Sequence, residues 1–414
     1  MRFIHRLLAH AIARVLSEDK SILLLGPSQS GKTSLLNRCL STDLSYNFLE
    51  ASVRQNFEQY PQHLIEEIKA YQKLSRRHTP ISVRIDAIHK VPHLMDSIQY
   101  AIVHRLAKFV LSCESVRQLK PAEWSVVELR MDTLNVDELK HRDLGLPDLL
   151  LYGALPATIV ENNNECKEAL LTAYVNHYLE AVRAESLVRN LAHFSKFLRC
   201  AAMRSGEVVN ISSLSTEVGI ARPTANEYYQ ICEDTLMVER IDPLTYTHLG
   251  RRLSKTPKYL LFDLGVRRIA AGEGAIMPEK YYGDLFKQFV GLELLKLLRA
   301  IAPAAKLCYW KDHNGPEVDY VIKYHHHHIP IEVKYSDKPT VSDGKHLQLF
   351  KEEYDCLSPA LIVCKAENAI EINDTLWAIS WRELSVTIRK IIASASFAEV
   401  QTKQQQNDIL EEVW

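Results

Sequence analysis

Nowhere does the 414-residue sequence approach the roughly 18 uninterrupted apolar residues that a membrane-spanning helix requires. The apolar stretch at the N-terminus is broken by His5, Arg6, His10 and Arg14, so no membrane span is expected. Charge of one sign is missing as well. Lys and Arg number 50 against 51 Asp and Glu, which leaves no bulk field to draw in nucleic acid or an anionic membrane; such a partner must be met by a local patch. The eight cysteines (Cys39, Cys113, Cys166, Cys200, Cys232, Cys308, Cys356 and Cys364) contain no C-x-x-C pair to chelate zinc or shuttle electrons. They read as reduced core residues of a cytosolic protein, which places the chain in the cytoplasm. Internal repeats are also missing. Against these absences stand 47% apolar and 24% charged residues, the composition of a soluble globular protein. Single cores stop growing beyond about 250–300 residues, so two or three domains are expected.

Residues 1–146 alternate between helical and strand patterns: a helix over Phe3–Leu16, a strand at Ser21–Leu25, a helix near Ser34–Leu40, a strand around Ile81–Ile85, a helix over His93–Ala107 and a strand at Lys108–Ser112. Such alternation predicts a parallel sheet covered by helices. Residues 147–202 read as a helical lid. Residues 203–260 give helix, turn, helix and a hairpin. From 261 to 399 a second α/β unit is expected, with a helix at Asp284–Ile301, strands near Lys306–Trp310, Glu317–Tyr324 and Ile329–Val333, a helix at Asp343–Tyr354 and a strand at Ala360–Cys364. Residues 400–414 form a polar tail.

The segment Gly26-Pro27-Ser28-Gln29-Ser30-Gly31-Lys32-Thr33 follows an apolar strand and opens a helix that continues with Ser34, which is the context a phosphate-binding loop requires. Backbone N–H groups would wrap the phosphates of ATP or ADP, Lys32 would neutralise the β- and γ-oxygens, and Thr33 would hold Mg²⁺. The strand Val83-Arg84-Ile85-Asp86 ends in a carboxylate that can reach the metal's water shell. Position 87 is Ala, where many ATPases of this architecture carry the Glu that positions the attacking water. Loss of a general base costs about 10²–10⁴-fold in rate. Slow hydrolysis, another residue supplying the function, or a substitution that traps ATP all remain open. After the third strand, Ser112 and Ser115 are placed to sense the γ-phosphate or to cap the strand.

Asp86-Ala-Ile-His-Lys-Val-Pro-His-Leu, Gly153-Ala-Leu-Pro156, the run Ser254–Gly265, Glu317-Val-Asp319 and Ile331-Glu-Val-Lys334, taken in order, resemble a widespread prokaryotic family of AAA+ ATPases. Its C-terminal half is similar to the PD-(D/E)XK nucleases. The resemblance implies an AAA+ core, a winged-helix segment and a restriction-endonuclease-like α/β end. By it, Gly153 and Pro156 lie near the bound base, and subunits assemble as homo-oligomers in which one subunit's arginine completes the next one's site. Several positions depart from the family pattern. Its Gly-Arg pair has no clear counterpart in Lys120–Ser125, its Arg-Asp reads Ala181-Val182, and its acidic residue on the helix opening the last domain is Lys287, although Glu293 remains.

Ile211–Val218, Gly219 and Arg222–Leu236 read as helix, turn, helix. Arg222, Thr224 and Asn226 would open the second helix, where DNA readers place their contacts, with Arg251 and Arg252 on a following wing. A winged helix used for packing or protein contact fits the same residues. In the last domain the period-2 alternation of Glu317–Lys323 and Glu332–Lys334 lets Asp319, Glu332 and Lys334 share one face. Two carboxylates would hold Mg²⁺ and a lysine would assist water attack on a phosphodiester; a solvated sheet face explains the alternation equally well. His325–His328 read as a surface loop, since a tight loop cannot aim four successive imidazoles at one metal. Three functions follow from these features: an ATP-dependent protein acting on or with DNA, an ATP-gated protein-binding switch with an inactive nuclease-like domain, and a nucleotide-regulated Mg²⁺-dependent nuclease.

Overall fold

The computed structural model describes residues 4–394 except 77, 78, 118, 120–124, 143, 248, 249 and 357. The polar tail and all of the Lys120–Ser125 segment except Ser125 therefore lie outside the described residues. The chain forms two compact units, each assembled from separate stretches: Met1–Leu134, Tyr152–Leu198 and Ile211–Glu239 make the first, and Asn135–Leu151, Arg199–Asn210 and Arg240–Trp414 the second.

In the first unit, β1 (Ser21–Leu25), β2 (Leu44–Asn47), β3 (Ile81–Asp86), β4 (Ala107–Cys113) and β5 (Val126–Arg130) form a sheet in the order β2-β3-β4-β1-β5. Every neighbouring pair is parallel. Such a sheet is covered on both faces, and its central strands are accordingly buried along nearly their whole length. Leu23, Val83, Ile85, Phe109 and Leu111 pack on one side with Phe57, Leu64, Ile68 and Ile98 from the covering helices. Ile22, Leu24 and Val110 pack on the other with Ile12, Val15, Leu35 and Leu36. The topology places β4 between the loop-bearing β1 and β3, so all three strands end at the same edge. Crevices at the carboxyl ends of parallel strands are where such sheets bind ligands.

The helices Ile211–Val218 and Arg222–Asp234 complete this unit. Gly219 turns between them at φ +83°, with nothing near the position a Cβ would take; backbone conformation alone calls for glycine there. The second helix is tied to the loop after β4, where Val116 N donates to Asp234 O (2.9 Å) and Arg117 pairs with Asp234 (3.1 Å).

The second unit is built on an eight-stranded mixed sheet in the order β12-β13-β11-β10-β9-β8-β6-β7. Its strands are β6 (Val238–Pro243), β7 (Lys258–Leu261), β8 (Lys306–Lys311), β9 (Glu317–Tyr324), β10 (His327–Val333), β11 (Ala360–Cys364), β12 (Ile370–Asn373) and β13 (Leu376–Ser380). The strands β6 and β7, in the segment read from sequence as a hairpin, lie side by side at one edge of this sheet, with Asp242 opposite Cys308 on β8 in parallel register. The helix Tyr282–Ile301 is buried along most of its length. Of the histidine run, only His325 and His326 form the turn; His327 and His328 begin β10, because the antiparallel pairing of β9 with β10 extends to His327 opposite Tyr324.

Candidate functional site

The loop from Gly26 to Gly31 leaves β1 and enters the helix Lys32–Cys39. Its shape is fixed by close backbone contacts. A Cβ at Gly26 would collide with the Met131 carbonyl, and Gly31 sits at φ +96°, conformations that only glycine meets without strain. Gly26 N donates to Cys113 O of β4 (3.1 Å), and Arg6 clamps the far side, donating to Ser30 O (2.8 Å) and Asp132 O (2.7 Å). The Lys32 side chain is 5% exposed. Its ammonium donates to Gly26 O (2.9 Å), Pro27 O (2.9 Å) and Glu114 Oε1 (3.1 Å).

Beside the loop opens a cleft of about 490 Å³ with both polar and apolar lining, within the range of small-molecule sites. Gln29, Gly31, Lys32, Thr33, Ser34 and Glu114 supply its polar lining, and Ile4, Met131, Leu134, Pro156, Ala157 and Val160 its apolar lining. Among the loop positions singled out from sequence, Gly26, Pro27, Ser28 and Ser30 frame the turn rather than line the cleft. Pro156 lines it and approaches Gly31; Gly153 does not, and turns the chain ahead of it at φ +68°. Ser115 is not among the cleft-lining residues; its hydroxyl accepts from Arg117 N (3.4 Å), and the cleft-lining residue after β4 is Glu114.

At the end of β3, Asp86 is buried. Ser112 Oγ donates to its Oδ1 (3.0 Å) and Arg84, two residues earlier on the same strand face, pairs with its Oδ2. Arg84 also bonds Asn37 of the helix after the loop. Each Asp86 oxygen keeps a second lone pair, so the carboxylate can still accept from a metal-bound water. Ala87 follows at φ +58° and donates its N–H to Ser112 Oγ (3.1 Å). Burial pulls the pKa of His89 down to about 4; its neutral ring accepts from Glu114 N at Nδ1 (3.3 Å). Burial works against ionisation of Glu114, but the Lys32 ammonium together with His89 and a hydrogen bond from Ser28 holds the carboxyl below its ordinary range.

In the second unit, the antiparallel register of β9 and β10 brings Asp319 and Glu332 together, as the alternation implied. Lys334 bonds Glu332 Oε1 (3.1 Å). The arrangement includes a fourth residue: Lys287 donates to Asp319 Oδ1 (2.8 Å), while Val333 N donates to Oδ2 (2.9 Å). Burial opposes the charge on Lys287, yet Asp319 more than compensates and its pKa is raised. Burial, and then Asp319, push the Glu332 carboxyl up to about 7. Two ammonium groups thus stand against two carboxylates. Among the described residues no group of three or more His, Cys, Asp or Glu side chains is arranged to hold a metal.

Of the residues assigned to nucleic acid, Arg222 and Asn226 are exposed and Thr224 is half-buried on the first unit's last helix. Arg252 is exposed on the second unit. The Arg251 guanidinium pairs with Glu353 (3.1 Å) and Asp312 (3.2 Å), whose carboxylates are buried. Sequence reasoning passed over Arg6, Arg84, His89 and Glu114. The i, i+2 spacing of Arg84 and Asp86 on a strand was a usable signal; for Arg6, which meets partners 24 and 126 residues away, there was none.

Three family models match the chain in succession: an AAA domain over residues 18–143, a domain of unknown function (DUF8612) over 144–275 and another (DUF4143) over 282–384. Residues 18–143 thus carry an AAA-type ATPase domain. Among solved structures, the chain is similar to a signal transduction ATPase with numerous domains (STAND) and a tetratricopeptide repeat sensor from Pyrococcus horikoshii, at 12% identity over 72% of this chain and 47% of that one, with a TM-score of 0.28. It is also similar to PCH-2 of C. elegans, at 12% identity over 55% of this chain and 66% of that one, with a TM-score of 0.23. The chain spans about half the length of the first and just under two thirds of the second. The search of curated proteins found no match. Among the described residues no helix is long and apolar enough to cross a membrane.

Proposed function

We propose that the first unit binds ATP with Mg²⁺ in the Gly26–Ser34 cleft and hydrolyses it, and that the second unit is a binding module that works without a metal. The observation that carries the first half is the position of the Lys32 ammonium. It is buried at the helix N-terminus and bonded to the loop's own carbonyls, with a cleft beside it that offers polar groups for a triphosphate and apolar side chains for a base. Phosphate oxygens would take over the donors that Lys32 now spends on Gly26 and Pro27. Thr33 and Asp86 would hold Mg²⁺, which supplies neutralising charge between the β- and γ-phosphates. Pro156, Ala157 and Val160 would pack against the base. The Lys32→Ala protein tests this by calorimetry with Mg·ATP: binding should be lost while the fold persists, and unchanged affinity would remove the assignment.

The second half rests on Lys287. A divalent cation would have to displace the Lys287 ammonium that bonds Asp319 Oδ1, while Oδ2 already accepts from Val333 N. This supports the switch reading over metal-dependent cleavage. DNA association stays the second reading, favoured by the exposed Arg222 and Asn226 on the first turns of a helix that follows a tight turn. Affinity for duplex DNA that falls steeply with salt supports it, and salt-independent or undetectable binding counts against it.

A further inference from the structure

Position 87 brings no carboxylate to the cleft. Its side chain is a methyl, its backbone turns into the left-handed region, and its N–H is committed to Ser112. One strand over, Glu114 does bring one. Strand β4 runs beside β3 in parallel register, Ile85 opposite Leu111, so residues 86–87 and 112–114 leave the sheet at the same edge. On its other side β4 pairs with β1, Leu25 opposite Cys113, and Gly26 N is bonded to Cys113 O. Glu114 therefore follows directly on the residue that fixes the start of the phosphate loop. Its carboxylate lies 3.1 Å from Lys32 Nζ and keeps 30% of its surface open, lining the cleft with Thr33 and Ser34.

From this geometry we infer that Glu114 is the general base for ATP hydrolysis, supplying from β4 the carboxylate that β3 lacks. The inference rests on the reading of the cleft as an ATP site. Glu114 is the charged partner of Lys32; phosphate oxygens bonding Lys32 would take over that role and release the carboxylate. A fixed negative charge beside the phosphate-binding lysine repels a triphosphate in the ground state, a cost that is recovered only if the carboxylate acts in the transition state. With phosphate bonded to Lys32, Glu114 is within one phosphate group's reach of the reacting phosphorus. A water bonded to Glu114 attacks the γ-phosphorus, its proton passing to the carboxylate. The bond from phosphorus to the bridging oxygen breaks, its electron pair leaving on ADP. The proton then returns to solvent or phosphate, so that ATP and water give ADP and inorganic phosphate.

The test compares full-length wild type, Glu114→Gln and Glu114→Asp, with Mg·ATP binding followed by calorimetry and phosphate release followed under single-turnover conditions with enzyme in excess. The amide should bind Mg·ATP at least as tightly as wild type, because a repelling charge is gone, while its hydrolysis falls about 10²–10⁴-fold. The shorter carboxylate should retain an intermediate rate, which a merely space-filling role would not produce. Unchanged or faster hydrolysis by Glu114→Gln overturns the assignment and leaves Glu114 a counter-ion of Lys32. A wild type that binds ATP yet releases no phosphate overturns it too, with the binding reading intact. A wild type that binds no ATP overturns both.

Discussion

Lys287→Glu tests whether an internal ammonium stands where a metal would. The Lys287–Asp319 pair, 2.8 Å apart with Asp319 8% and Lys287 40% exposed, sits at the edge of the buried region. Two unit charges about 4 Å apart attract by roughly 4 kcal/mol at an effective dielectric of 20. Exposure of the lysine screens this to a net contribution of about 1–3 kcal/mol. The substitution removes that attraction and adds a third carboxylate beside Asp319 and Glu332, so without metal the protein should melt earlier than wild type. Three converging carboxylates are, however, a site for Mn²⁺. At a concentration 100-fold above its dissociation constant, a ligand specific to the folded state stabilises by about 2.7 kcal/mol, which in a unit of this size raises Tm by about 5–10 °C. Scanning calorimetry of the full chain, without nucleotide so that the phosphate loop takes up no metal, should show a Tm independent of Mn²⁺ for wild type and rising with log[Mn²⁺] for the variant. A wild type whose Tm climbs with Mn²⁺ would refute the reasoning, since Asp319 and Glu332 would then bind metal despite Lys287.

His89 gives the first unit a dependence on pH. Its pKa of about 4 in the folded protein lies below the value of about 6.5 for an unperturbed imidazole. Between those values the unfolded chain binds the extra proton. The contribution is therefore complete above pH 6.5 and is lost as pH falls toward 4, about 3 kcal/mol in all; His89→Gln should flatten urea-derived stability across that window, and an unaltered slope would show that another group titrates. Arg251→Ala should cost about 3–5 kcal/mol in denaturant titrations, because it leaves the buried Glu353 and Asp312 without their cation, whereas Arg252→Ala should change stability by under about 0.5 kcal/mol. An Arg251→Ala protein of wild-type stability but weaker DNA affinity would contradict the structural role and support that arginine as a DNA contact.

Elements with continuous apolar runs, strict alternation or sharp punctuation were legible from sequence. Ser21–Leu25, Glu317–Tyr324 and Ala360–Cys364 have the expected bounds, and Gly219 ends the helix Ile211–Val218. The strands at Leu44–Asn47 and Val126–Arg130 went unread because edge strands are half-exposed and lack an apolar run. The helix Ala51–Gln59 was missed for a similar reason: it buries only Phe57, too little to impose a period. Long-range pairing was out of reach. That β6 joins β8 depends on Asp242 meeting Cys308, and nothing local encodes it. At the site, the loop residues declared themselves by spacing, but which of Ser112, Glu114 and Ser115 faces the cleft is decided after β4 ends, where strand alternation no longer assigns faces. The departure at Lys287 was visible in the sequence. Its contact with Asp319 required the helix Tyr282–Ile301 to be docked on the sheet.

The account stands most directly on where Lys32 goes when nucleotide arrives. A crystal structure of the full chain with Mg²⁺ and a non-hydrolysable ATP analogue should show the ammonium withdrawn from the Gly26 and Pro27 carbonyls and bonded to β- and γ-phosphate oxygens, with the base against Pro156. An analogue bound elsewhere, or a Lys32 still seated on its own loop with the cleft empty at saturating analogue, would contradict it.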